Sequence, residues 1–197
     1  MNILITGGAG FFGQAFARTA LDRGAKRVCI FSRDEAKHAK MRDAFEDDSR
    51  LRFFIGDIRD GRRIEEALQG IELVVHAAAL KRIETGFYNP EEMCETNIQG
   101  TRNLIRAVRR ARVPKVVGLS TDKAFAPVSI YGVSKSAAEC LMLAANNTMG
   151  QYGPIFACAR YGNIFSSTGS IVPRWRALIA AGAKTLPVTD PECTRFF

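Results

Sequence analysis

Asn2-Ile3-Leu4-Ile5-Thr6-Gly7-Gly8-Ala9-Gly10-Phe11-Phe12-Gly13 decides how this chain folds. After Asn2 the next four residues are apolar or β-branched, and the five read as a short buried strand. The run then breaks into glycines spaced Gly7-x-x-Gly10-x-x-Gly13. From Phe12 onward apolar residues return at helical spacing, through Ala15, Phe16, Thr19 and Ala20, until Gly24 stops them. A glycine-rich turn that leaves a strand and opens a helix is the signature of a dinucleotide-binding unit. Gly7 permits the tight turn, Gly10 lets the backbone approach a pyrophosphate, and Gly13 lets the helix pack close to the strand. The helix start adds unpaired N–H groups and a partial positive charge, with Phe11 and Phe12 beside it. A purely structural strand–helix turn would carry the same glycines.

Working outward, apolar runs at 26–31, 51–55, 73–76, 115–120 and 155–159 read as further strands. Helical patterns at 34–45, 62–68, 93–112 and 130–149 separate them. Strands that are apolar throughout and alternate with helices predict a parallel sheet covered on both faces. Right-handed crossovers then give an α/β, Rossmann-type doubly wound sheet flanked by helices.

Composition fits that reading. Of 197 residues, 47% are hydrophobic and 24% charged, with 17 Gly and 7 Pro, which argues against disorder, collagen and low complexity. The balance of 28 Lys+Arg against 20 Asp+Glu gives +8, which suits an anionic ligand: a phosphorylated cofactor, a nucleotide-linked substrate, nucleic acid or a lipid surface. Cys29, Cys94, Cys140, Cys158 and Cys193 are odd in number and form no C-x-x-C, so no disulfide framework is expected. Cys158 sits mid-strand and reads as core. His38 and His76 lack metal-spaced partners, so no metal is expected. No signal peptide precedes the first strand and no apolar run reaches the roughly 18 residues of a membrane span. The expectation is a reduced, cytoplasmic protein with no membrane partner.

The end of the second strand selects the cofactor. An acidic residue there binds the ribose 2′-hydroxyl of NAD, whereas Arg accommodates the 2′-phosphate of NADP. The sequence reads Ser32-Arg33-Asp34, with Lys37 one turn later. Ser32, Arg33 and Lys37 favour NADP. Asp34 leaves NAD open, although it equally suits a helix cap. Asp57 and Ile58 after the third strand are placed to hold the adenine. Ala77, Ala78 and Ala79 are small enough for a flat cofactor to lie against, or they are plain packing.

Tyr131-Gly132-Val133-Ser134-Lys135 is a Y-x-x-x-K tetrad near the start of a helix, so both side chains share a face. A nearby ammonium favours the phenolate and brings a group with an unperturbed pKa of about 10 towards neutral operation. Tyr131 is therefore a candidate base for an alcohol undergoing oxidation, and Lys135 would hold the nicotinamide ribose. Ser120-Thr121 at the preceding strand end offers a hydroxyl to share the proton.

These residues carry a resemblance. Through Gly7, Gly10, Gly13, Asp57, Asn97, Thr121, Tyr131 and Lys135 the chain resembles the extended short-chain dehydrogenase/reductase superfamily. Within it the chain is most similar to the UDP-N-acetylglucosamine 4,6-dehydratases of polysaccharide biosynthesis, including the C5-inverting type. The segments that match are His76-Ala77-Ala78-Ala79-Leu80-Lys81, Tyr88-Asn89-Pro90, Glu95-Thr96-Asn97, Ser120-Thr121-Asp122-Lys123, the Tyr131 tetrad, Arg160-Tyr161-Gly162-Asn163 and Gly169-Ser170-Ile171-Val172-Pro173.

The resemblance implies a division of labour. Tyr131 takes the proton of the sugar C4 hydroxyl during oxidation by bound NADP. The C4 ketone acidifies C5, where Lys123 is the base, and Asp122 is the acid for the departing C6 hydroxyl. The hydride then returns to C6. Lys81, Asn97, Thr121, Asn163 and Val172 would meet the UDP-sugar, while Lys81, Tyr161 and Gly162 would approach the cofactor. A UDP-sugar 4-epimerase, a reductase, or an inactive cofactor-binding fragment are the alternatives. Such proteins pair into homo-oligomers through two long helices, here 93–112 and 130–149. They also continue past this length, so 1–165 is expected to be the cofactor-binding domain. The stretch 166–197, ending in Thr194-Arg195-Phe196-Phe197, is expected to be only the start of a C-terminal substrate domain.

One feature points elsewhere. Arg102, Arg106, Arg109, Arg110, Arg112 and Lys115 form a basic stretch that suits nucleic acid. No aromatic residues are interleaved with the charges and no nucleic-acid module accompanies them, so a solvated helix face with no nucleic-acid partner is expected.

Overall fold

The computed structural model describes residues 1–148, 150–151, 153–167, 169–188 and 190–192. Met149, Cys193 and the segment Thr194-Arg195-Phe196-Phe197 lie outside the described residues. The chain divides into two compact units, Met1–Arg160 and Tyr161–Phe197.

The first unit alternates strand and helix: β1 (Asn2–Thr6), α1 (Phe11–Asp22), β2 (Arg27–Ser32), α2 (Glu35–Ala44), β3 (Leu51–Ile55), α3 (Gly61–Ala67) and β4 (Leu73–His76). Next come α4 (Ile83–Tyr88), α5 (Pro90–Cys94), a π-turn (Glu95–Gln99), α6 (Gly100–Ala111), β5 (Lys115–Leu119), α7 (Ile130–Ala145) and β6 (Ile155–Ala159). The six strands form one parallel sheet in the order β3-β2-β1-β4-β5-β6. The doubly wound expectation is thus met.

Period-two alternation decides which side chain faces which layer. Ile3, Ile5, Val28, Ile30 and Val75 point into a core closed by Ala17, Leu21 and Met41 of α1 and α2. Leu4, Cys29, Phe31, Val74 and Val116 point the other way, against Ile64, Leu104, Val108 and Met142 of α3, α6 and α7. Both faces are covered over β1, β2 and β4, so those strands can be apolar at nearly every position, whereas Ile155 on the edge strand β6 is 63% exposed.

The strand order reverses between β1 and β4, and such a switch point opens a crevice at the carboxyl ends of the strands. Register makes those ends level: Thr6 pairs with both Phe31 and His76, and His76 with Gly118. Gly7 leaves β1 with φ +69°, and a Cβ there would meet the backbone of Ala77 and Ala78 at 2.9 Å. Gly7→Ala therefore combines a left-handed penalty of about 1–2 kcal/mol with overpacking of about 1–3 kcal/mol. The urea midpoint is expected to drop accordingly, and an unchanged midpoint would contradict this packing.

Two elements differ from the sequence expectation. The pattern at 93–112 is a helix that starts earlier, at Pro90, and carries a π-turn at Glu95–Gln99. The helix at 130–149 gives way at Asn146 to a 3-10 turn (Asn146–Thr148). Two further helices were not foreseen. One is α4, whose six residues are too few to show a period; the other is α8 (Ile171–Ala180) of the second unit. In that second unit the indole of Trp175 donates to the carbonyl of Pro187 at 3.3 Å.

Candidate active site

The glycine turn and α1 make the first half of the site. Gly10 stands at the N-cap of α1, with no side-chain cap and no acidic residue in the first turn. The N–H groups of that turn are therefore unopposed and fit a phosphate. A Cβ on Gly10 would meet only the Gly7 carbonyl oxygen, at 3.1 Å, so the backbone is open to a ligand on its other side. Gly13 is closed instead: a Cβ there would stand 2.5 Å from the Gly8 Cα. Phe11 is exposed, and Phe12 stacks on Phe16 with 5.8 Å between ring centres. Ala77, Ala78 and Ala79 leave β4 as half-buried, non-helical backbone beside Gly7.

At the end of β2, Asp34 is committed to α2. Its carboxylate accepts from the Lys37 amide and pairs with the Lys37 ammonium, both at 3.0 Å. These contacts hold the Asp34 carboxyl below the ordinary carboxylate range. The Ser32 hydroxyl lies 2.6 Å from His38 Nε2, a partner that sequence reasoning missed although Asp34 and His38 are one helical turn apart. His38 is buried against Phe53, and that burial lowers its pKa from the usual imidazole value. A neutral His38 with a proton on Nε2 leaves the Ser32 hydroxyl free to donate outward. Arg33 reaches Asp57 at 3.6 Å from an exposed position. Asp57 itself is held by Arg59, at 2.8 Å to one guanidinium nitrogen and 2.9 Å to the amide. Burial pushes the Asp57 carboxyl up and the Arg59 contacts outweigh it, so it stays ionised. Ile58 is buried in the core, which leaves its backbone rather than its side chain within a ligand's reach.

The second half follows β5. Thr121 is buried and its hydroxyl donates to Asp122 Oδ1 at 2.8 Å. Lys123 Nζ donates to the same oxygen at 3.0 Å, and both charged side chains are partly exposed. Burial pushes the Asp122 carboxyl up, but the bonds from Lys123 and Thr121 bring it below its ordinary value. Ser129 caps α7 by accepting from the Gly132 amide at 3.2 Å. This cap places Tyr131 in the first turn, with Lys135 one turn further on. Lys135 is 8% exposed and its Nζ donates to the Leu119 carbonyl at 2.6 Å. Burial pulls its pKa down to about 8.

Asn97 stands neither at a helix start nor in a cap. The π-turn carries it inward, where it is 1% exposed. Its amide donates to the Leu80 carbonyl at 3.0 Å and the Ser134 hydroxyl at 2.9 Å, and its carbonyl accepts from the Leu80 amide at 2.8 Å. Ser134 in turn donates to the Tyr131 carbonyl at 2.8 Å. One side chain thus ties the loop after β4 to the helix that carries Tyr131. Such π-turns are frequent at functional sites.

The arrangement is matched along the chain. Residues 3–197 fit the model of the family described as polysaccharide biosynthesis protein. The chain belongs to the polysaccharide biosynthesis protein family. A UDP-N-acetylglucosamine 4,6-dehydratase (inverting) of Campylobacter jejuni is 44% identical over 197 residues, covering 100% of this chain and 59% of that protein. A UDP-glucose 4-epimerase of Rickettsia canadensis is 40% identical over 199 residues, covering 99% of this chain and 58% of that protein. A crystal structure of DesIV, a dTDP-glucose 4,6-dehydratase of Streptomyces venezuelae with NAD and TYD bound, is 29% identical with a TM-score of 0.80. It covers 92% of this chain and 63% of that one. The chain therefore spans about three-fifths of the curated relatives it matches. The family resemblance read from the sequence is borne out.

In this polysaccharide biosynthesis family member, the remaining candidates fall in different places. Lys81 is an exposed residue of the loop after β4. Tyr161, Gly162, Asn163 and Val172 lie in the second unit, Val172 within the first turn of α8. The arginine-rich stretch is tied locally. Arg110 pairs with Glu65 at 2.5 Å, Arg102 donates to Gln99 at 2.7 Å and Arg109 to the Thr148 carbonyl at 3.3 Å. Among the described residues no cluster of His, Cys, Asp or Glu could hold a metal, and no helix is long and apolar enough to cross a membrane.

Proposed function

We propose that this chain is the cofactor-binding and catalytic portion of a nucleotide-sugar 4,6-dehydratase that acts on UDP-N-acetylglucosamine with NADP. The observation that carries the reading is the Thr121–Asp122–Lys123 cluster, which adds an acid–base pair to the Tyr131–Lys135 dyad. When bound, a nicotinamide would take the hydride from C4 and return it to C6, with C5 regaining a proton in that last step. Tyr131 accepts the C4 hydroxyl proton, with Thr121 sharing it and Lys135 stabilising the phenolate. Lys123 removes the C5 proton, and Asp122 protonates the C6 hydroxyl as it leaves as water.

The Asp122–Lys123 ion pair has the reverse protonation of an acid and a base. Moving one proton from Nζ to Oδ1 across 3.0 Å leaves a neutral amine and a neutral acid with no change in net charge. Water exclusion by a bound sugar favours that neutral pair, because desolvation penalises the charged forms.

A 4-epimerase is the second reading, favoured by the Rickettsia relatives. It has no use for a C5 base and a C6 acid. Incubation of the NADP-loaded protein with UDP-N-acetylglucosamine, followed by NMR, separates the two. The expected product is a 4-keto-6-deoxy sugar; a C4 epimer would establish the epimerase, and no conversion would establish a binding fragment. The proposal includes a division at 165/166, a cytoplasmic setting and self-association through α6 and α7.

Cofactor choice gives a separate prediction. Asp34 is occupied by Lys37, while Ser32, Arg33 and Lys37 surround the end of β2. NADP is expected to bind about tenfold more tightly than NAD, from one charge-assisted contact worth about 1.4 kcal/mol. Arg33→Ala should erase most of that preference. Titration calorimetry giving equal affinity for both in the unaltered protein would refute the NADP assignment.

A further inference from the structure

Glu139 and Arg160 take no part in the reaction above, yet they form a bidentate ion pair. Arg160 Nε lies 2.8 and 3.1 Å from the two carboxylate oxygens, and Nη2 lies 2.6 Å from Oε2. The pair is lopsided: the Glu139 side chain is 8% exposed and that of Arg160 50%. Glu139 sits one helical turn beyond Lys135 on α7, so the two share a face. The carboxylate is therefore the inner charge and the guanidinium is screened by water.

The groups that face Lys135 can be sorted by charge. On β5 it meets the neutral Leu119 carbonyl, and Ser120, the next residue, is a buried hydroxyl that carries no charge. On β4, burial holds His76 at a pKa of about 3, so it is neutral at neutral pH. On β6, burial pushes the Cys158 thiol above its ordinary value, so it stays protonated where Lys135 titrates. On α7, Tyr131 lies one turn before Lys135 and Glu139 one turn after it. Arg160 keeps the Glu139 carboxyl below its ordinary range. Glu139 is thus the fixed anion in the surroundings of a buried ammonium.

We propose that Glu139, held ionised and partly offset by Arg160, is a positioning element that keeps Lys135 protonated at neutral pH and so sets the alkaline limit of the site. The proposal rests on the reading of Lys135 as the partner of Tyr131 only for its catalytic meaning; the electrostatic claim stands by itself. A pair that merely braced β6 against α7 would give no ordered titration response.

Titration of Lys135 in lysine-labelled protein by NMR, assigned with Lys135→Met, tests this without cofactor or turnover. Glu139→Gln is expected to lower the Lys135 midpoint by about one unit, as loss of a nearby opposite charge does. Arg160→Gln is expected to raise it by a smaller amount, and the double variant to return it towards the unaltered value. Cys158→Ala should leave it in place. An unmoved or raised midpoint in Glu139→Gln overturns the proposal, as does a drop of equal size in Cys158→Ala. Should Glu139→Gln not fold, Arg160→Gln decides by its sign, and an unmoved or lowered midpoint there overturns the proposal. Failure here leaves the dehydratase reading untouched, and absence of product leaves this titration untouched.

Discussion

Tyr131→Phe is expected to lower turnover by about 10²–10⁴-fold, the usual contribution of a positioned acid–base group, while NADP affinity changes by less than about threefold. The substitution keeps the ring and removes one hydroxyl. Tyr131 is held by its backbone: the Ser129 cap fixes the first turn of α7, and the Tyr131 carbonyl accepts from Ser134, which Asn97 holds from the π-turn. Those backbone contacts are all retained in the variant, so the first turn of α7 keeps its place. Lys135 remains anchored on the Leu119 carbonyl, so the ribose contact proposed for it is expected to persist. The kinetic signature is a fall in kcat with little change in cofactor dissociation constant. A kcat within tenfold of the unaltered protein would remove Tyr131 from the role of base.

Much of this frame was legible because each signal was local. The run Asn2–Thr6 and its glycines sit within a few residues of one another, and the strand–helix alternation repeats the same pattern. Asp34 showed both an NAD and a cap reading in the sequence. The structure occupies it as a cap, because Lys37 lies three residues on. What the sequence hid depends on contacts between distant segments. The π-turn at Asn97 leaves the apolar period nearly unchanged, so only its partners Leu80 and Ser134 reveal it. His38 looked like a lone histidine until β2 brought Ser32 to it. Nothing in the helical pattern at 130–149 singles out Glu139. Its partner Arg160 is 21 residues away and was read only as part of a motif.

Lys123→Ala carries the other large effect, because it tests the step that separates dehydration from epimerisation. Exchange of the substrate C5 proton with deuterated solvent is expected to fall by about 10²-fold or more, the loss of a general base. Oxidation at C4, proposed to rest on Tyr131 and Lys135, should persist, visible as reduced nicotinamide in a single turnover. Asp122→Asn sharpens the test. Asp122 accepts from Thr121, from the Lys123 amide and from Lys123 Nζ, so it is the group able to take the lysine proton directly. Without it Lys123 loses that carboxylate partner, and C5 exchange should fall there too. Undiminished exchange in Lys123→Ala would sink the assignment of the base. Undiminished exchange in Asp122→Asn would sink the proton transfer within the pair.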